Sequence, residues 1–332
     1  VNLLDPGITP HQNIQFLLVL SCVLKAVDRH AALLRESAAD VGNDHRLGAN
    51  EAPPAIISVF LGDQLTDVMN QLITTGMADH SIESEMLETG VKYIPEFMRD
   101  TTDRNRTSPF AFTGNKFEFR MVGARDSIAP ANMVLNTIVA QSFKEACDVL
   151  EKAEDFDMAV HDLIKKNFTK HQRIVFNGNG YSEEWVEEAA KRGLPNIGCM
   201  VEAVEALTYE ESVSLFEEFG VFTRAELESR KEIKYETYSK AINIEARTMI
   251  DVASKQIIPA VIKYTKNLAD SVNAVVSAGI LDVDVQTELL RDTSALLKDT
   301  RDALNHLKDV AKTAADMEEG KERAFFYREK VM

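Results

Sequence analysis

The chain alternates charged and aromatic residues in one short stretch, Lys116-Phe117-Glu118-Phe119-Arg120. Because successive side chains of a β-strand point to opposite faces, this order predicts a strand with its three charged residues on one face and the two phenylalanines behind it. Charged side chains are unfavourable to bury unless they pair or meet a metal or a charged ligand. Same-face neighbours lie about 6.6 Å apart, which suits a carboxylate-held cation between two anion-binding groups.

Phosphoryl transfer is one chemistry that uses such an arrangement. There a protein supplies Mg²⁺ together with Arg or Lys side chains around the phosphoryl group. The same alternation is also typical of an edge strand with a solvated, salt-bridged face. The spacing alone favours this second interpretation.

Two longer stretches change that balance. Residues 105–120 read NRTSPFAFTGNKFEFR, which resembles the core signature of glutamine synthetases, an Asn-Arg pair followed by a strand ending in Glu-x-Arg. Residues 43–54 read NDHRLGANEAPP, which is similar to the family's arginine followed by a mobile Glu-Ala-Pro flap. The residues of both stretches resemble those of the long type III branch of the family. The resemblance is closest over residues 1–140, and the remainder is similar to the type III C-terminal extension.

The resemblance implies an α+β fold. Residues 1–155 are expected to form the C-terminal part of a glutamine synthetase-type catalytic domain, with antiparallel strands packed against helices. This part contains the flap loop 42–54, an insertion at about 60–104 with a short strand near residues 90–94, and the catalytic strand 116–122. Residues 156–332 are expected to form a helical extension with long antiparallel helices and no catalytic motif. The chain begins at Val1 without an initiator Met, so we expect it to lack the amino-terminal half of a longer enzyme.

Site roles follow from the resemblance, residue by residue. Glu118 matches the family's metal-ligand glutamate, for which Mg²⁺ or Mn²⁺ is the expected ion. Arg120 matches the arginine at the reacting carboxylate and phosphoryl group, and Arg106 the phosphate-stabilising arginine. Arg46 matches the arginine that binds the amino-acid substrate, and Lys116 stands where a nucleotide-phosphate cation is usual.

Glu51 matches the flap glutamate, which closes the site and accepts a proton from ammonium. Such a lid protects an acyl phosphate from water. The plainer interpretation is a loop glutamate that precedes an Ala-Pro-Pro helix start. Glu118 by itself cannot build a two- or three-metal centre, and the family's other metal ligands are expected before Val1.

The implied function is ATP-dependent ligation of ammonia to glutamate through γ-glutamyl phosphate, giving glutamine, with this piece inactive alone. Two alternatives stay open: a γ-glutamyl ligase for another amine, and a non-catalytic scaffold that retains the fold. The expected partners are glutamate, ammonia and ATP, and the complete enzyme is expected to form a homo-oligomeric ring.

Composition excludes other classes of function. The net charge of -16 and the pI near 5.0 argue against nucleic-acid binding, which needs clustered cations. The apolar run 14–27 contains polar residues and is too short to span a membrane. Three widely spaced cysteines without a C-x-x-C pattern indicate a reduced, cytoplasmic protein.

Apolar periodicity and capping residues predict the helices. The predicted helices are 11–37, 55–68, 132–152, 157–166 and one from 224 to 277 bent at Pro259. Ser182 is the predicted N-cap of the helix that carries Trp185, after a tight turn at 177–180 that also looks like a phosphate loop but lacks its context. Capping boxes are predicted at Thr208/Glu211 and Thr223/Glu226. After Gly279, a further helix is predicted to pack antiparallel through a heptad seam of Leu289, Leu296, Ala303 and Val310, offset by Thr293, Thr300, Leu307 and Ala314.

Overall fold

The computed structural model describes residues 2–49, 52–82, 86–87, 97–98, 106–280 and 282–332, and residues 86–87 and 97–98 are described by their backbone alone. The chain divides into two compact units, Val1–Lys231 and Glu232–Met332. The mixed, helix-rich architecture agrees with the predicted α+β class.

The first unit combines helices with short strands. Its helices are α1 Ile14–Arg29, α2 Ala31–Glu36, α3 Val41–Asp44, α4 Asp63–Thr75, α5 Ala129–Leu150, α6 Phe156–His171, α7 Glu183–Lys191, α8 Met200–Ala203 and α9 Glu210–Glu218. The strands are β1 Val59–Phe60, β2 Met86–Leu87, β3 Phe97–Met98, β4 Phe110–Phe112 and β5 Phe117–Phe119. Helix α10, Arg224–Val252, starts in this unit, and the second unit also contains α11 Ile258–Ser277, α12 Asp284–Asp316 and α13 Lys321–Phe326.

Helix α1 is the centre of the first unit's core. It packs against α5 and α6, and its buried residues recur every three or four positions, as in Leu17, Leu20 and Leu24. The predicted single helix 11–37 is divided, because His30 leaves helical geometry (φ −107°, ψ 28°). Its buried ring lies 2.8 Å from Oε1 of Gln141 on α5.

A small mixed sheet, rather than the antiparallel one expected, lies beside this core. Strand β4 pairs in parallel with β1 and antiparallel with β5. Ala111 of β4 is therefore paired with Phe60 of β1 on one side and with Glu118 of β5 on the other. The predicted helix 55–68 is wrong in its first half: residues 55–61 are buried and lie outside any helix, they include strand β1, and α4 begins only at Asp63. A short apolar run that is buried on both faces has no periodicity to separate strand from helix.

Segments beyond residue 155 take part in the first unit. Helix α6 packs against α1 and α4. Val175 forms a parallel bridge with Val59, and the Phe176 amide donates to the Val59 carbonyl at 2.9 Å. The predicted boundary near residue 155 separates the catalytic part from the helical extension, and it stays a prediction. The first compact unit does not end there but extends to Lys231.

The predicted insertion 60–104 is described only in part. It contains α4 and the antiparallel pair of β2 and β3, in which Met86 faces Met98. The strand predicted near residues 90–94 lies outside the described residues.

Two of the predicted helix caps are confirmed. Ser182 Oγ accepts from the Trp185 amide at 3.2 Å at the start of α7. The Thr223 amide donates to Glu226 Oε2 at 2.8 Å and the Glu226 amide donates to the Thr223 hydroxyl at 3.4 Å, which are the two hydrogen bonds of a capping box. The box predicted at Thr208 is wrong, because Thr208 ends a 3₁₀ turn and Tyr209 is the N-cap of α9.

The secondary-structure elements that the structure describes in the second unit are all helices. A π-helical turn, Ala253–Ile257, separates α10 from α11 just before Pro259, where the bend was predicted. Helices α11 and α12 pack together across a turn at Gly279, whose φ of 84° suits glycine. The heptad interval in α12 is right. The first predicted series is displaced by one residue, since Leu304 and Ala311 are buried while Leu296 is 67% exposed, whereas Ala314 of the second series is buried as predicted.

None of the helices in the described part of the chain combines the length and the apolar character that a membrane crossing needs.

Candidate active site

Strand β5 separates charged from aromatic side chains as its alternation predicts. Arg120 Nε and Nη2 donate to Glu118 Oε2 at 3.1 and 2.9 Å, and the Thr113 hydroxyl donates to Glu118 Oε1 at 3.3 Å. On the other face, the ring of Phe117 stacks on Phe110 with centroids 4.7 Å apart. The strand is half-buried and shorter than the predicted 116–122.

The Glu118 carboxylate is held in its ionised form. Hydrogen bonds from Arg120 lower the pKa of Glu118, and the charges of Arg120 and Lys116 act in the same direction. Its side chain is 37% exposed. An ionised, accessible carboxylate beside a guanidinium is available as an oxygen ligand for a hard cation.

Arg46 is fixed by a buried asparagine. Asn43 is 2% exposed, and its amide nitrogen donates to the carbonyls of Ala38 at 2.7 Å and Met121 at 3.0 Å. Its amide oxygen accepts from Arg46 Nη1 at 2.8 Å. Arg46 also donates to the carbonyl of Arg120 at 3.3 Å. Sequence analysis did not single out Asn43, because nothing in a loop asparagine's neighbours shows that it is buried.

Three of the predicted arginines meet at one cavity. A space of about 110 Å³ is lined by Arg46, Arg106 and Arg120. These residues come from the end of α3, the segment before β4 and the end of β5. Such a concentration of guanidinium groups fits an anionic ligand, since their planar forks match carboxylates and phosphates.

The remaining predicted site residues are placed differently. Glu118 is hydrogen-bonded to Arg120 but does not line the cavity. Lys116 is exposed and lines a neighbouring, mostly apolar groove instead. Glu51 lies outside the described residues, although Leu47 and Ala52, which form a bridge on either side of it, both line the cavity.

A segment that sequence analysis treated as a plain turn completes the cavity wall. The Gly180 amide donates to the Thr107 hydroxyl at 2.8 Å, and a Cβ at Gly180 would lie 2.8 Å from the Thr107 carbonyl oxygen. Asn177 Oδ1 accepts from the Leu61 amide at 3.1 Å, which ties the turn to the end of β1. Tyr181, the next residue, lines the cavity. The glycine therefore permits the close approach that brings this segment against the arginine-bearing one.

Comparison with known proteins shows which protein family this chain resembles. Residues 159–276 match the family model of the glutamine synthetase C-terminal domain. The chain is 46% identical over 277 residues to a type-3 glutamine synthetase of Dictyostelium discoideum, covering 82% of this chain and 38% of that protein. These matches show that the chain is similar to glutamine synthetases. It is also 40% identical to a glutamine synthetase of Butyrivibrio fibrisolvens and 37% identical to one of Bacteroides fragilis, over all of this chain and 47% of each relative.

The predicted resemblance to glutamine synthetases of the type III branch is thus confirmed. The chain spans 38% to 47% of the length of these curated relatives. The segment that matches the glutamine synthetase C-terminal domain includes Tyr181, so part of the cavity wall lies in that domain.

The metal centre expected of a glutamine synthetase is only partly represented. Among the residues that the structure describes, no group of three or more His, Cys, Asp or Glu side chains could hold a metal ion. Glu118 supplies one carboxylate, which fits a single ligand position. The described residues therefore fit a share of a metal site rather than a whole one.

Proposed function

We propose that this chain supplies part of the active site of an ATP-dependent glutamate–ammonia ligase. In that reaction ATP phosphorylates the γ-carboxylate of glutamate, and ammonia then displaces phosphate to give glutamine. The observation that carries the proposal is the convergence of Arg46, Arg106 and Arg120 on one cavity beside the Glu118 carboxylate. Both reactants carry anionic groups at the reacting centre, and fixed guanidinium groups stabilise the charge that develops there.

Each arginine has a proposed task. Arg46 binds the substrate carboxylate, because Asn43 and the Met121 carbonyl fix the orientation of its fork. Arg120 acts at the reacting carboxylate and the transferred phosphoryl group, with Glu118 fixing its position. Arg106, exposed at the cavity's edge, stabilises phosphate. Lys116 is proposed to contact the nucleotide phosphates from outside the cavity.

The loop that carries Glu51 is proposed to be the lid. The Gly48 amide donates to the carbonyls of Ala52 at 3.2 Å and Pro53 at 3.0 Å, so the loop is closed at its base. Ala52 and Pro53 line the arginine cavity. A glutamate at the tip of such a loop can cover the cavity, exclude water and accept the ammonium proton.

Mg²⁺ or Mn²⁺ is the proposed ion, and when bound it would polarise the transferred phosphoryl group. Glu118 would hold it through one oxygen, and other ligands would come from residues outside those described here. A homo-oligomeric ring and a reducing, cytoplasmic compartment are proposed with the same function. The reducing compartment agrees with the free thiols of Cys22, Cys147 and Cys199.

The test is a ligase assay on the protein that contains this chain, in which glutamine and phosphate are measured together. Arg106→Gln should lower turnover by about a hundredfold or more, the usual effect of removing one transition-state donor. Arg247→Gln, a matched change on the exposed face of α10, should leave it unchanged. An unaltered rate in Arg106→Gln would overturn the proposal.

Two further assays separate the alternatives. Faster turnover with a small organic amine than with ammonium would favour the ligase for another amine, and no ligation of either would favour the scaffold. The 332-residue chain alone is expected to make no glutamine, because its described residues supply a single metal-ligand position. Glutamine formed by the chain alone would contradict this expectation.

A further inference from the structure

A second, larger cavity lies among α1, α5 and α6 and shares no lining residue with the arginine cavity. Its volume is about 840 Å³, within the range of small-molecule sites. Five cationic side chains line it, although the chain as a whole carries a net charge of -16. These are Lys25, Arg29, Lys166, Lys170 and Arg173.

The floor of this cavity is made of buried polar side chains that form hydrogen bonds and ion pairs with one another. The Asp28 side chain is 3% exposed and lies 2.7 Å from His171 Nδ1 and 2.9 Å from Arg173 Nε. Asn167, also buried, donates to the Ser21 hydroxyl at 3.2 Å. A buried carboxylate with two such partners is stable in one arrangement, and it makes the floor rigid.

The acidic residues of the wall are engaged as well. Glu145 pairs with Lys25 at 2.5 Å and with Arg29 at 2.7 Å, and Arg29 also pairs with Glu211. The three carboxylates that line the cavity therefore already have cationic partners, and the five cations exceed them by two.

The excess is carried by Lys166 and Lys170. Both are exposed, four residues apart on α6, and neither forms an ion pair or hydrogen bond within the described part of the chain. Like charges at this spacing repel each other and weaken a helix slightly. Lys170 is in the last turn of α6, where the helix dipole favours a cation. Lys166 lies a turn earlier, so the dipole does not account for it.

We propose that this cavity binds a small molecule that carries a phosphate group. Lys166 and Lys170 are about 6 Å apart along the helix axis, close enough for one dianion to contact both. Arg29 and Arg173 also line the cavity, but their charges are matched by carboxylate partners, so the net positive charge comes from the two lysines. The concave shape and the buried polar floor favour a small molecule over a protein surface. The proposal does not depend on the ligase function.

The experiment is a calorimetric titration of the full chain with inorganic pyrophosphate at low salt. We expect saturable binding that Lys166→Gln/Lys170→Gln weakens by about tenfold or more, because two charge-assisted contacts are removed. Pyrophosphate can also enter the arginine cavity, so Arg106→Gln is titrated in parallel and should retain the lysine-dependent binding. Succinate, a dicarboxylate, should bind more weakly than pyrophosphate.

The matched control is Lys308→Gln/Lys312→Gln, which removes the same charge at the same spacing on α12. It should change the affinity by less than about twofold, since neither Lys308 nor Lys312 lines the cavity. Unchanged affinity in the Lys166/Lys170 variant would overturn the proposal, as would an equal loss in the control. Absence of saturable binding to the unaltered chain, or tighter binding of succinate, would also overturn it.

Discussion

In the first unit, charged residues from distant segments converge at its cavities, whereas several ion pairs of the second unit join residues of one helix. The Arg46 side chain contacts the Arg120 carbonyl across 74 positions of the chain, and His171 contacts Asp28 across 143. In the second unit, Lys240–Glu236 and Lys266–Asp270 join residues four apart. Long-range convergence builds cavities whose charges face a ligand, whereas local pairing covers a solvated helix surface.

The difference predicts how each unit responds to substitution. A changed charge at a convergence point of the first unit alters binding or catalysis, because several segments depend on it. The same change on an exposed helix of the second unit alters little. The four predictions below test this contrast, in order of decreasing effect.

The largest effect is expected for Glu118→Gln in the ligase that contains this chain. Loss of the negative oxygen should weaken metal binding and release Arg120 from its bidentate contact. Turnover should fall by about a thousandfold or more, roughly 4 kcal/mol of barrier. The measurement is the rate of glutamine formation as Mg²⁺ is varied.

Glu318→Gln, the same change at an exposed position of the second unit, serves as the control and should leave the rate as it was. If Glu118→Gln kept near-normal activity with the same metal dependence, the Glu118–Arg120 pair would be a structural salt bridge only.

The next effect separates the two half-reactions. Glu51→Ala should leave ATP binding and acyl-phosphate formation largely intact, because Glu51 is proposed to hold neither metal nor nucleotide. Capture by ammonia should suffer, so the intermediate is lost to water and ATP hydrolysis becomes uncoupled. The measurement is phosphate released against glutamine formed in one assay. A ratio that stays at one with an unchanged rate would make Glu51 a structural loop residue, and loss of ATP binding would place it in the nucleotide site.

Asn43→Ala is expected to have a smaller, measurable effect on stability. It removes the Asn43 donor from the buried carbonyls of Ala38 and Met121, and it removes one of the contacts that hold Arg46. The free energy of unfolding should fall by about 1–3 kcal/mol. Urea unfolding followed by Trp185 fluorescence reports the first unit alone, since Trp185 is the chain's single tryptophan and is 3% exposed.

Asn70→Ala, on the exposed face of α4, is the matched control and should change that free energy by less than about 0.5 kcal/mol. An Asn43→Ala variant as stable as this control would show that Arg46 is held by other contacts.

The smallest effect is expected for Tyr327→Phe in the second unit. Tyr327 is fully buried, and its hydroxyl has no hydrogen-bond partner among the described residues. Removing an unpaired polar atom should leave the free energy of unfolding within about 1 kcal/mol of its original value or raise it. Urea unfolding followed by circular dichroism measures this, with Leu304→Ala as a positive control that should lose about 2–4 kcal/mol. A larger loss in Tyr327→Phe would reveal a partner for the hydroxyl.

Features governed by neighbouring residues were predictable. The faces of β5 followed from its period-two order, and the caps at Ser182 and Thr223 followed from a side chain and an amide three positions apart. Prediction failed where burial decided the outcome. Residues 55–61 are buried and lie outside any helix, and one of the two predicted series of α12 is displaced by one residue.

The sequence by itself determined the resemblance to glutamine synthetases, the helical character of most of the chain and the candidate residues Arg46, Arg106, Glu118 and Arg120. Only the tertiary structure decided that the three arginines share a cavity, that Asn43 holds one of them, and that the turn before Tyr181 completes the wall. Motifs and periodicity depend on residues close in sequence, whereas each of these contacts joins segments that meet only when the core of α1, α5 and α6 and the small sheet have formed.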